Sequence, residues 1–130
     1  MFAKLVLLAE EVSFDDAGKV SAKNLALDIV RPSFPATLDR LDLLTLWTRA
    51  QDEADSQVFE LHLQTPTGAA PPERIPVEFG ENGEAWQGIS LDGFTLEQPG
   101  PYVFRFTQGP QDRAVWILRA HHAPDGVGDA

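Results

Sequence analysis

Phe94-Thr-Leu96, Gln98-Pro-Gly-Pro-Tyr102, Val103-Phe-Arg-Phe-Thr107 and Arg113-Ala-Val-Trp-Ile-Leu-Arg119 decide how this chain folds. Tyr102, Phe104 and Phe106 fall two apart, so they stand on one face of a pleated strand. Gln108-Gly-Pro-Gln-Asp112 supplies the turn chemistry, and a second apolar strand follows. The reading is strand, corner, strand, turn, strand, which is how a β-sandwich closes its core. Pro99 and Gly100 make a tight turn just ahead of Tyr102. A tyrosine so placed can bury its ring while its hydroxyl returns to the backbone upstream, the tyrosine corner of Greek-key sandwiches. A tyrosine merely buried at a strand start is the plainer alternative.

Working outward, Phe59, Leu61 and Leu63 alternate with polar neighbours, as in an antiparallel strand with one wet face. Ile75, Val77 and Phe79 alternate too, but Pro76 between them cannot donate to a ladder, so this is an edge strand or an irregular segment. Thr37 to Ala50 fits helical spacing in part, yet Leu44, Leu46 and Thr48 alternate against Leu43, Thr45 and Trp47, which favours a turn and then a strand over Leu43 to Arg49. Phe2 to Leu8 reads as a strand buried on both faces. Val20 to Val30 reads as one strand with Leu25, Leu27 and Ile29 sharing a face, entered through the turn Asp15-Asp-Ala-Gly18. Turn signals every ~8–12 residues predict about seven to nine strands. The expectation is an all-β, immunoglobulin-like, antiparallel two-sheet sandwich of Greek-key type. It occupies residues 1–120 as one domain, with residues 121–130 as a flexible tail.

The formal net charge is −10 over 130 residues. From Gln51 to Gly100 there are ten Asp and Glu and a single base, Arg74. Such a surface repels phosphate polyanions and anionic bilayers, so no nucleic acid and no membrane partner is expected. With no cysteine there are no disulfides, no thiolate metal sites and no cysteine nucleophile. The N-terminal apolar run is short and soon meets Glu10 and Glu11, so neither a spanning segment nor a signal peptide is expected, and a cytoplasmic location follows.

The segments LLAEEVSFDDAGKVSAKNLALDIV, SFPATLDRLDLLTLW and FTLEQPGPYVFRF resemble an uncharacterised family of small stand-alone bacterial proteins. The resemblance rests on a Gly-Lys turn into a strand, a Phe-Pro, and a Pro-Gly-x-Tyr approach to the last hairpin, and it spans Leu7 to Leu118. This chain departs from the pattern at Ala26-Leu-Asp-Ile29, where such proteins often carry a Gly-rich piece. The resemblance implies an immunoglobulin-like sandwich and no activity.

No constellation for chemistry is evident. His121 and His122 point to opposite faces if extended, and His62 sits on the polar side of its strand, so no ligand set converges and no metal or other cofactor is expected. Glu10, Glu11, Asp15 and Asp16 are acidic enough for a calcium loop, but their spacing is not that of one, and Asp52, Glu53 and Asp55 read as a solvated turn. There is no Gly-x-Ser-x-Gly and no phosphate loop. No catalytic residue is assigned, and a hydrolase ranks last. The aromatics are left. Trp47, Trp86 and Trp116 either plug the core or face outward, and Arg113 to Arg119 is apolar on both sides. Trp47, Trp116 and Ile117 are therefore the candidate partner surface, for another protein or for a second copy in a homodimer. Two coplanar exposed tryptophans would instead suit a carbohydrate or small ligand. The expected function is a non-enzymatic protein-interaction or self-associating module.

Overall fold

Where the sequence alternates, strands form, and no other regular element is present in residues 1–124, which the computed structural model describes. In chain order they are β1 (Phe2–Phe14), β2 (Val20–Leu25), β3 (Asp28–Arg31), β4 (Ala36–Leu38), β5 (Asp42–Thr48) and β6 (Ser56–Thr65). Then come β7 (Gly68–Ala69), β8 (Glu73–Glu78), β9 (Glu84–Ser90), β10 (Phe94–Leu96), β11 (Gly100–Gln108) and β12 (Gln111–His122). Twelve strands exceed the number expected because β3, β4, β7 and β10 are pieces of two to four residues. Pieces that short carry no alternation of their own.

The strands form two main layers. One sheet has the order β2-β1-β5-β9, and the other runs β3-β12-β11-β6-β7 with β8 also on β6; β4 and β10 pair separately. All pairings are antiparallel except β3 with β12, which is parallel. The layers meet through aromatic rings. Trp47 of β5 lies 4.8 Å from Phe59 of β6 and 6.4 Å from Phe106 of β11. Phe94 packs on Tyr102 and Phe104 at 6.1 and 6.0 Å. Each such side chain taken fully from water stabilises the fold by roughly 1.5–3 kcal/mol.

Three sequence expectations are corrected. Val20 to Val30 is not one strand: Asn24 takes φ 57°, and the chain leaves the four-stranded sheet at Leu25 to join the other at Asp28. Buried Ala26 is the pivot, its N–H bonded to Leu8 and its C=O accepting from the Trp116 indole. Leu25 and Leu27 are consequently exposed while Ile29 is buried. Second, β1 is not covered on both faces. Val6 and Leu8 face the core, but Leu5 and Phe2 are 37% and 58% exposed on the other side. Third, His121 and His122 are not tail. β12 continues through them because β3 offers a partner, with pairs from Arg119–Asp28 to His122–Arg31, and Ala123 beyond is buried. The rest of the expected tail, residues 125–130, lies outside the described residues.

Candidate partner surface

Trp47 does not reach the surface. It is fully buried, and its indole N–H donates to Thr45 Oγ1 at 2.9 Å on the same inner face of β5. Trp116 also points inward, half-buried against the core, its indole N–H 2.9 Å from the Ala26 carbonyl. Ile117 faces the opposite side of β12, paired with Val103 of β11, beside the half-exposed Val115. Trp47 and Ile117 thus belong to different sheets and opposite sides of the sandwich wall, and no common surface contains the three residues.

A different apolar surface exists on the outer face of the four-stranded sheet. Pairing of Leu5 with Leu46 and of Leu7 with Leu44, and of Leu46 with Trp86 and Leu44 with Gly88, sets these residues side by side. Leu44 and Leu46 are buried in the middle, whereas Leu5 is partly exposed and Trp86 is 42% exposed. Phe14 completes it. β1 pairs with β5 only as far as Ala9, and then curls with β2 across the sheet until the Phe14 ring meets Trp86 edge-on at 5.9 Å. The alternation of Leu5 and Leu7 against Val6 and Leu8 was the available sign of a second apolar face. Nothing local said that this face would be left partly bare.

One buried carboxylate anchors the curl. Asp42 projects from β5 onto the outer face at 5% exposure and accepts three hydrogen bonds and one further ion-pair contact. They come from the Val12 N–H (2.8 Å), Ser90 Oγ (3.0 Å) and the Arg40 guanidinium (3.0 and 2.7 Å). Burial alone would raise the Asp42 pKa, but the bonds from Arg40, Val12 and Ser90 outweigh it and hold the carboxyl below its ordinary value. Beside it a small groove of about 190 Å³ is lined by Val12, Phe14, Asp42, Gly88 and Ser90 among others.

The corner residues hold a tight turn at the start of β11. The Tyr102 hydroxyl donates to the Gln98 carbonyl at 2.7 Å, and Gly100 adopts φ 135°. A Cβ on Gly100 would stand 2.8 Å from Pro66 Cγ, so both the backbone and the neighbour demand glycine. The histidines are dispersed: His62 Nε2 lies 3.0 Å from Thr107 Oγ1, and His121 Nε2 lies 2.7 Å from Asp28. Among the described residues no three His, Asp or Glu side chains gather as a metal site. No helix of the described residues is long and apolar enough to cross a membrane.

No curated protein matches this sequence. Among solved structures, a β-glucosidase from Listeria innocua in complex with glucose is similar, at 14% identity and TM-score 0.48, covering 92% of this chain and 16% of that one. The same enzyme in complex with isofagomine gives 11% identity and TM-score 0.49, covering 94% and 16%. This chain therefore spans about a sixth of the length of the structures it resembles. A family described as being of unknown function, DUF6941, matches residues 4–119, and the chain belongs to that family.

Proposed function

We propose that this protein is an immunoglobulin-like Greek-key sandwich acting as a non-enzymatic protein-interaction or self-associating module in the cytoplasm. Strand order supports the fold reading: β1, β5 and β9 stand as A, B and E of an immunoglobulin sheet, and β12, β11, β6 and β8 as G, F, C and C′. Tyr102 sits at the start of the strand in the F position, where a tyrosine corner belongs. A cysteine-free chain fits a reducing compartment.

The observation that carries the functional reading is the outer apolar face with Phe2, Leu5, Phe14 and Trp86 all exposed on one sheet. Contiguous apolar surface of this kind marks interaction sites, and tryptophan is enriched at their centres. A sugar platform is less well supported, because the exposed rings of Phe14 and Trp86 stand at 84° to each other and not in one plane.

Sedimentation equilibrium from micromolar to millimolar protein tests this. The average mass is expected to rise with concentration, and Leu5→Lys is expected not to lower the melting temperature. A strictly monomeric wild type whose Leu5→Lys variant also melts lower would show that the face serves the fold alone, and would overturn the reading.

A further inference from the structure

β9 is an edge strand: among the described residues it pairs with β5 only. The bonds Leu91 N–H to Leu41 and Arg49 N–H to Gly83 fix which groups face which way. In that register Ala85, Gln87 and Ile89 turn their N–H and C=O toward β5, while Trp86, Gly88 and Ser90 turn theirs to the open side. Glu84 is already satisfied, its N–H by Asn82 Oδ1 and its C=O by the Gly80 N–H. The unpaired run is therefore Trp86 to Ser90, centred on Gly88.

Open edges invite a further strand, and proteins usually blunt them with charge, proline or twist. The other edges here are blunted. β8 carries Pro76 between Arg74 and Glu78, β2 carries Lys23 and turns left-handed at Asn24 just before its end, β3 is four residues long with Asp28 and Arg31 at its ends, and β7 is two residues long. β9 from Ala85 to Ser90 has neither charge nor proline.

We propose that β9 pairs antiparallel with β9 of a second copy about a two-fold axis at Gly88, joining two four-stranded sheets into one. This rests on the interaction reading above and names the partner. Gly88 then faces Gly88 of the other copy, and Trp86 faces Ser90 in both directions, so every free edge group finds a partner in about six ladder bonds. A Cβ at Gly88 would meet nothing within 4 Å, so nothing in the subunit bars the approach. The tryptophans flank the side-chain-free gap at the axis, which suits aromatic rings laid diagonally across a strand pair. With a net charge of −10 per copy, contact is confined to an uncharged stretch. Added salt strengthens the pairing by screening the repulsion between copies.

Amide hydrogen exchange on the wild type tests this without any variant. Trp86, Gly88 and Ser90 amides should slow as protein concentration rises, while Ala85, Gln87 and Ile89 stay protected throughout. Gly88→Pro deletes an outward N–H that β5 does not use and should weaken association roughly tenfold or more, with the melting temperature of the monomer reporting any cost of the proline ring to the strand itself. If mass rises with concentration but Trp86 and Gly88 exchange at an unchanged rate, the edge pairing is overturned and the interaction reading stands. A wild type that remains monomeric at millimolar concentration overturns the edge pairing as well, and the Leu5→Lys melting temperature then decides the wider reading.

Discussion

Trp47 and Leu46 are adjacent on β5, and they open onto the two faces of the same sheet. The inner face is closed by a second sheet, with Trp47, Phe59 and Phe106 locked ring to ring. The outer face is closed only in part, by a hairpin that curls back and touches Trp86 with a single ring. Both faces are oily, but only one is fully dry. The difference teaches that hydrophobicity alone does not make a core: a second layer does, and where it is missing the same residue types become surface.

Breaking the inner face should cost most. Trp47→Ala removes the largest fully buried side chain and is expected to destabilise by about 3–5 kcal/mol in urea unfolding. A loss under 1 kcal/mol would mean that the two faces are not as unlike as their burial implies.

The latch of the outer face comes second. Asp42→Ala leaves the Val12 N–H without its acceptor and removes the partner of the half-exposed Arg40 guanidinium, and should cost about 1–3 kcal/mol. The folded-state pKa of Asp42 is depressed, so its stabilisation is whole above the ordinary value of 3.8 and is lost as pH falls through the lower folded value. Acid unfolding of the wild type should accordingly include a component that Asp42→Asn removes. An Asn variant with the wild-type acid limb would deny the carboxylate that role.

Tyr102→Phe, which keeps the ring and deletes the bond to Gln98, should cost about 1 kcal/mol. The smallest effect belongs to the surface: Trp86→Ser should change unfolding by less than about 1 kcal/mol. It should also abolish most acrylamide quenching of the protein's fluorescence, since Trp47 is fully buried and Trp116 half-buried. Strong residual quenching would place a second tryptophan in water and blur the contrast.

These contrasts also show what a sequence can disclose. Alternation at Phe59-Leu61-Leu63 and Tyr102-Phe104-Phe106, and the Pro-Gly-Pro-Tyr turn, are local patterns with local causes, and β6 and β11 form where they point. The edge character of β8 was readable from Pro76 because a missing N–H is a property of one residue. Which tryptophan faces water was not readable. β5 has apolar residues on both of its faces, and period two separates Trp47 from Leu46 without saying which side the second sheet will take. The break at Asn24 was hidden for the opposite reason: Leu25, Leu27 and Ile29 continue a regular pattern through a place where the chain changes sheets. His121 and His122 looked like tail because their partner, β3, lies some ninety residues upstream.

That last pairing has a consequence for how the protein is made. β3 runs alongside the strand synthesised last among those described, so residues 28–31 wait for residues 119–122 to leave the ribosome before their sheet can close. Until then the nascent chain holds Ile29 and one edge of β11 without their neighbours, in a topology that folds slowly because its contacts are distant. The sandwich is thus fastened at its far seam, and its second sheet is complete only when β12 is.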